Sequence, residues 1–412
     1  MMKKDLLIKA AQLYGFDTAS AREVPGHEGG RNLVFMIGTD SVLRVSSLSD
    51  RNIEDYEAEI EYIHYLSEGG ASVADSIPSG KGNRIEIIDE KAVTMFETAK
   101  GDQIADHGYR YIDGVPIDEY FYLTGKVLGK IHALSKSYRP IHKRFDFFEK
   151  YNEDYFESLI PDDFFCLHMK MGRWVKDRLH EILEELRKLP QNSENYGMVH
   201  FDYSDGNYNI EYDTGKINVF DFDNCRTCWY LYDIANLWSH GLGWIVWNND
   251  ANERRAYMEK YMQTVINGYR TECTITDEEL EHLELMVNAV LMENIIDAFE
   301  VMKAAGEEFD FDFSGSVFFS GNAYLSGKTI LQFVFDILID IFKLRSFLLD
   351  LFLLFSAIAN NFFEFANREF FIDDSLSQDK LFLGIFDSKK SSGMSGGNDF
   401  FHYHLLNVFG KL

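Results

Sequence analysis

The chain has 412 residues, 46% of them hydrophobic and 15% aromatic, with a formal net charge of −27. Such a composition excludes a disordered chain and is long enough for two domains, or for one two-lobed enzyme with a cleft between its lobes. So acidic a surface repels phosphate backbones and argues against a nucleic-acid partner; it favours a cationic ligand such as an amine or amino sugar, or serves solubility alone.

In chain order, MMKKDLLIKAAQLYGF carries Leu6, Leu7, Ala10, Leu13 and Tyr14 at helical spacing. Asp5 and Lys9 interrupt any apolar core, so the segment reads as a short amphipathic helix rather than a signal peptide, and a cytoplasmic location follows. NLVFMI and SVLRVS, joined at Gly38-Thr39-Asp40, predict a strand, turn and strand between Leu33 and Ser46. Ile53, Tyr56, Ile60, Ile63 and Leu66 mark one helix face, closed by Gly69-Gly70. RIEIID and AVTMFE form a second hairpin turning at Asp89 to Lys91. Beyond Gly101 long helices take over, over 117–135 and 164–189, followed by a hairpin from Asn209 to Phe220 turning at Asp213-Thr214-Gly215. Thr276 with Glu279 matches a capping box and opens a helix running to Phe299.

The last hundred residues differ, with frequent Phe spaced by Ser and Gly. The apolar run from Phe347 to Phe363 has Asp350 within it, which costs about 2.5–3.5 kcal/mol at a membrane centre, so a buried or amphipathic helix is expected there. These residues read as packing on the preceding lobe, lying on a membrane, or foreign to the rest of the chain; 388–398 reads as a flexible linker. The four cysteines are too sparse for a disulfide framework, and Cys225-x-x-Cys228, without a second pair, reads as packing.

The chemistry concentrates in VHFDYSDGNYNIEYDTGKINVFDFDN, from Val199 to Asn224. A hairpin between Asn207 and Asp221 returns the chain to where it left, so two hard oxygen donors suited to Mg²⁺ meet at one end. Asp202, in the preceding loop, is placed to orient an attacking hydroxyl and accept its proton. Those are the parts that phosphoryl transfer needs, and the spacing equals that of the protein-kinase H-R-D-x-x-x-x-N and D-F-G segments, with Asp221-Phe222-Asp223 in the second place. His200 is expected to support the loop rather than react.

HFDYSDGN followed by VFDFDNCRTCWYLYDIANLW resembles the aminoglycoside phosphotransferase family, which includes choline kinase-like and homoserine kinase-like enzymes. LGKIHAL (Leu128 to Leu134), Tyr232-Asp233-Ile234-Ala235 and Gly268-Tyr269-Arg270 are similar to further family segments, and the resemblance runs from about Gly30 to Phe299. It implies an α+β, protein-kinase-like two-lobed fold, with a small β-rich ATP-binding lobe over 1–100 and a larger helical catalytic and substrate lobe over 101–312; the resemblance fades there, and the shift in composition sets off a Phe-rich tail over 313–412. The resemblance also implies ATP and Mg²⁺ as cofactors, with transfer of the γ-phosphate to a hydroxyl of a small molecule such as an amino alcohol, amino sugar or aminoglycoside-like compound. Arg44 falls where the family's phosphate-gripping lysine stands, and Glu59 where its partner stands; a surface arginine and a solvated helix face, with Glu57 and Glu61 nearby, are the alternatives. Gly29 and Gly30 are candidates for backbone approach to phosphate, or an ordinary turn. Met95, Glu97 and Ala99 (in MFETA) fall at the hinge that meets adenine. Glu293 and Asp297 are candidate acceptor contacts, with surface charge favoured. A stress-response type of protein Ser/Thr kinase and a non-catalytic nucleotide-binding module stay open as alternatives.

Overall fold

A computed structural model describes residues 2–24, 32–166, 169–245, 248 and 250–304. Gly29, Gly30 and the segment 313–412 therefore lie outside the described residues. Two compact units divide the described chain, one of residues 2–152 and 183–287 and one of residues 153–182 and 288–304. No described helix is long and apolar enough to cross a membrane.

The first unit opens with helix α1 (Met2–Tyr14) and an antiparallel sheet of β1 (Ala21–Glu23), β2 (Asn32–Ile37), β3 (Ser41–Ser47), β4 (Ser76–Ile77), β5 (Glu86–Ile88) and β6 (Lys91–Glu97). Helix α2 (Ile53–Glu68) is inserted after β3. The strand order is β1-β2-β3-β6-β4, with β5 also on β6. Strand periodicity sorts the side chains: Phe35, Ile37, Leu43, Val45, Val93 and Met95 form one apolar face packed with Leu6 and Ala10 of α1. The intervening Arg44, paired in register with Val34 and Thr94, is thereby turned to the other face. On α2, Asn52 caps the N-terminus by accepting from the Asp55 N–H at 2.9 Å, and Tyr56, Glu59, Ile60, Ile63 and Leu66 form the buried face. The short β1 and β4 carry too few residues to show a period.

The unit continues with α3 (Ile117–Ser137), α4 (Phe147–Lys150), β9 (Tyr196–Val199), β10 (Tyr208–Glu211), β11 (Lys216–Val219), β12 (Arg226–Trp229), α7 (Tyr230–Gly243), α8 (Ala251–Tyr269) and α9 (Asp277–Leu280). The second unit holds α5 (Glu153–Leu159), the hairpin of β7 (Phe165–Cys166) and β8 (Met169–Lys170), most of α6 (Gly172–Leu186) and most of α10 (Leu283–Ala304). Helix α3 lies against α8 at Gly125, Gly129 and Gly268. A Cβ at any of them would collide with backbone of the opposite helix, so the close approach needs glycine.

Two boundaries depart from the sequence reading. The helix expected over 164–189 starts only at Gly172, because the Phe164 N–H bonds the Pro161 carbonyl (3.1 Å) and the Met171 N–H bonds that of Phe164 (2.8 Å), closing a loop and hairpin first. The helix after Thr276 keeps its capping box but divides into α9 and α10. At the break the His282 N–H reaches back to Glu279, a tightened final turn, and α10 runs to Ala304 rather than Phe299.

Candidate active site

The hairpin β10–β11 is the frame of the site. Its register pairs Tyr208 with Val219, and the Phe220 N–H donates to the Asn207 carbonyl at 2.9 Å, so Asn207 and Asp221 stand side by side where the hairpin opens. The hairpin is tied to the β-rich part twice. Val219 exchanges backbone bonds of 2.8 Å with Ser72 and Ala74, and Ile210 exchanges bonds of 3.1 and 2.8 Å with Asp102. Gly101 (φ +93°) makes the second contact possible, since a Cβ there would meet the Ile210 carbonyl.

Asp202 is exposed in the loop between β9 and β10. The residue before it, Phe201, has φ of +72°, a left-handed conformation that costs of order 1–3 kcal/mol unless its surroundings impose it. They do. Asp233 on α7 is 0% exposed; its Oδ1 accepts from the Phe201 N–H and its Oδ2 from the His200 N–H, both at 2.8 Å. Asn236, one turn on, donates to the Phe201 carbonyl at 2.7 Å, and the Phe201 ring stacks on Tyr232 at 4.2 Å. His132 of α3 approaches Asp233 Oδ2 through Nε2 at 3.1 Å and Tyr269 of α8 through Nδ1 at 3.0 Å. Burial holds the His132 imidazole below its ordinary pKa despite the pull of Asp233, and burial keeps the Tyr269 phenol protonated. The neutral ring therefore donates from Nε2 to Asp233 and accepts at Nδ1 from Tyr269.

His200 ties this loop to the hairpin. Its Nε2 lies 3.0 Å from the Phe220 carbonyl, which can only accept, so that nitrogen carries the proton, and Nδ1 accepts from the Asp202 N–H at 3.3 Å. Asn207 donates Nδ2 to the Asp202 carbonyl at 2.8 Å, which leaves its side-chain oxygen as the group offered to a ligand. Asp221, also left-handed at φ +62°, still reaches solvent while protein crowds around it. Loss of solvation raises its carboxyl pKa above the ordinary 3.8, Asp223 adds to the rise, and Arg44 opposes it. Asp223 accepts from Arg51 at 2.8 Å, with Arg44 at 3.8 Å. Arg144, 2% exposed, donates to the Asp223 and Cys225 carbonyls and pins the turn after Asp221.

Arg44 and Glu59 meet in a fork: Nη1 to Oε1 at 2.7 Å and Nη2 to Oε2 at 2.9 Å. They are 7% and 0% exposed, neither a surface arginine nor a solvated glutamate. Burial works against the Arg44 charge, but Glu59, Asp223 and Asp221 together hold it protonated. Its Nε is buried without a hydrogen-bond partner among the described residues, leaving a donor beyond those given to Glu59. Met95 is buried in β6; at the end of that strand the Glu97 N–H donates to the Asp75 carbonyl, and just beyond it the Thr98 N–H donates to the Asp40 carbonyl (2.8 and 2.9 Å). The Ala99 carbonyl accepts from Asn209 Nδ2 at 2.8 Å, joining hinge to hairpin.

The donor set fits a hard divalent cation: one amide oxygen, one carboxylate crowded by others, and no thiolate or imidazole. Mg²⁺ characteristically takes few protein ligands and completes its shell with water and substrate phosphates. Among the described residues no group of three or more His, Cys, Asp or Glu could hold a metal unaided. Cys225 and Cys228 are both buried, and burial raises the Cys225 thiol to about 12 and Cys228 well above its ordinary value, so neither is a thiolate. Glu293 and Asp297 lie on the part of α10 in the second unit. The sequence reading assigned no role to Asp233, His132, Tyr269, Arg51, Arg144, Asp205 or His240. For the first three the signal was present in the segments YDIA, LGKIHAL and GYR, but not their convergence.

The family model of the phosphotransferase enzyme family (APH) matches residues 23–271. Amicoumacin kinase of Bacillus subtilis (strain 168) is 28% identical over 296 residues, which cover 69% of this chain and 80% of that protein. Among solved structures, amicoumacin kinase hAmiN in complex with AMP-PNP, Ca²⁺ and Ami is similar with a TM-score of 0.65 at 22% identity, over 81% of this chain and 92% of that one. A microcompartment-associated aminopropanol kinase follows with a TM-score of 0.59 at 16% identity, over 80% and 93%. Both likenesses are of fold: α+β and kinase-like, with a β-rich N-terminal part and a helical C-terminal part. With a family model covering more than half of its length, the chain belongs to the APH phosphotransferase enzyme family.

Proposed function

We propose that the protein transfers the γ-phosphate of ATP to a hydroxyl of a small, amine-bearing molecule, with Asp202 as base. The observation that carries this reading is the assembly of an exposed Asp202 with the paired Asn207 and Asp221 and the buried Arg44–Glu59 fork. Small-molecule acceptors are favoured over proteins because the 28%-identical relative is a kinase of amicoumacin. The net charge of −27 favours a cationic acceptor.

The acceptor oxygen bonds to the γ-phosphorus as the bond to the β-phosphate oxygen breaks, ADP leaves with that electron pair, and the hydroxyl proton passes to Asp202. Asp233 holds the Asp202 loop through two backbone N–H groups, so the carboxylate is positioned before substrate arrives. Arg44, oriented by Glu59, would supply positive charge toward the α- and β-phosphates. Asn207 and Asp221 would hold Mg²⁺, which when bound neutralises phosphate charge. Met95 to Ala99 would meet adenine through backbone groups; Gly29 and Gly30 remain proposed phosphate contacts.

The test is ATP turnover across aminoglycosides, choline, ethanolamine, homoserine, sugar alcohols and cell-lysate protein. Asp202→Ala and Asp221→Ala are expected to abolish it, and EDTA to stop it until Mg²⁺ is restored. Activity surviving both substitutions, or full activity in EDTA, refutes the mechanism; labelled protein bands with no labelled small molecule refute the acceptor class.

A further inference from the structure

The ring of Phe201, the left-handed residue next to Asp202, is held on both faces. Tyr232 of α7 lies nearly parallel to it, at 4.2 Å and 6°. The guanidinium carbon of Arg226 lies over it, 3.7 Å from the ring centroid. Two groups that near cannot share one face, so the ring is gripped between tyrosine and arginine. All three side chains are buried. A strained backbone persists only where its surroundings over-determine it. Asp233 and Asn236 fix the peptide groups on either side of Phe201, and the two stacked groups fix the ring itself.

Arg226 stands in β12 opposite Val199, the last residue of β9, so its backbone is fixed by the strand that leads into the catalytic loop. Its Nε donates to the Asn224 carbonyl at 3.2 Å. Asn224 closes the short 3-10 turn, Phe222–Asn224, that follows Asp221. One guanidinium thus meets the segment of Asp221 with its edge and the segment of Asp202 with its face. The rings of Phe145 and Tyr151, with centroids 5.0 and 5.4 Å from the Arg226 guanidinium carbon, complete an aromatic surround. An aliphatic side chain could fill the space beside Phe201. It would supply neither the bond to Asn224 nor the attraction of a cation for a ring face, which is largest where water is excluded.

We propose that Arg226 is a positioning residue for phosphotransfer: hung from the turn after Asp221, it clamps the Phe201 ring and so fixes Asp202 relative to Asp221. The proposal rests on the phosphotransfer reading above and adds to it a residue that touches neither ATP nor acceptor.

The experiment uses the full-length protein with Arg226→Met, Arg226→Lys, Phe201→Leu and the Met–Leu double variant. It measures kcat, KM for ATP, and amide exchange over residues 198–206 by mass spectrometry. Arg226→Met keeps the stem and removes the charge. It is expected to lower kcat about ten- to a hundredfold, the scale of a small misplacement of a reacting group, with KM for ATP changed less than about threefold. Exchange of the His200 and Phe201 N–H groups should quicken with it. Arg226→Lys keeps the charge but not the bond to Asn224, so its kcat should fall between wild type and Arg226→Met. If Arg226 acts through the Phe201 ring, the double variant should lose little more than the worse single one. An unchanged kcat in Arg226→Met, a KM for ATP that rises as far as kcat falls, or fully multiplicative losses in the double variant would overturn the proposal. Should Arg226→Met not fold, Arg226→Lys decides: a lower kcat at unchanged KM supports the proposal, and a wild-type kcat overturns it. No turnover by the wild-type protein on any acceptor overturns the phosphotransfer reading instead. The exchange rates then still judge the clamp, which fails if they do not quicken.

Discussion

Replacing Asp233 with Asn removes a charge from the centre of the machinery while keeping its shape. The carboxylate accepts from the Phe201 N–H on one oxygen and from the His200 N–H and His132 on the other. An amide must turn its NH₂ toward one of these donors. The better flip keeps the oxygen toward His200 and His132 and sets Nδ2 against the Phe201 N–H. That forfeits a charge-assisted bond of about 1.5–3 kcal/mol and leaves a buried N–H unsatisfied, a further ~1–3 kcal/mol. The left-handed Phe201 is then free to relax, which recovers part of the loss and moves Asp202 with it. The expected net loss of stability is about 3–5 kcal/mol by denaturant titration, with phosphotransfer reduced about a hundredfold or more, because a displacement of ~1 Å is enough for that. ATP binding, measured by calorimetry on the folded variant, should persist, since Arg44 and Glu59 lie on other elements. An Asp233→Asn protein within 1 kcal/mol of wild type and with undiminished turnover would falsify the claim that α7 sets the loop.

Glu59→Gln takes the forked carboxylate from the buried Arg44 and leaves it Asp223 at 3.8 Å, so it should cost up to about 3–5 kcal/mol, whereas Arg44→Lys keeps charge but loses the fork and should raise KM for ATP roughly ten- to a hundredfold. Unfolding titrations and ATP saturation curves separate the two effects. Burial tends to raise the Glu61 pKa, but the Ile141 and His142 N–H groups, Tyr138 and the His142 ring outweigh it and hold the carboxyl below its ordinary 4.5. Its stabilising contribution is therefore complete above 4.5 and lost as pH falls through the lower folded value, so Glu61→Gln should show a shallower loss of stability in that acidic window. The double change of Cys225 and Cys228 to Ser should leave turnover within a few-fold, and stoichiometric zinc in the purified protein would contradict it.

Much of the site was legible because its logic is local. A hairpin of matched strands returns Asp221 to Asn207, and spacing along the chain suffices for that; a two-residue period sets Arg44 opposite Leu43 and Val45 but does not tell a surface arginine from one buried against Glu59, so Arg44 entered only through the family resemblance. The helix expected over 164–189 failed for the opposite reason. Helical periodicity there could not register that Pro161 would capture the Phe164 N–H and that Gly172 would be needed where the helix passes its carbonyl. Only the tertiary structure decided what holds Asp202 in place. Tyr269, His132, Asp233 and Phe201 come from α8, α3, α7 and the catalytic loop, and they meet because glycines let α3 and α8 approach backbone to backbone. A buried carboxylate stabilises such a loop only when every donor around it arrives together, and periodicity along a chain carries no information about side chains that distant. The candidate chemistry lies in one short stretch of sequence; what braces its loop comes from α7, a few residues beyond that stretch, and from α3 and α8, tens of residues away from it.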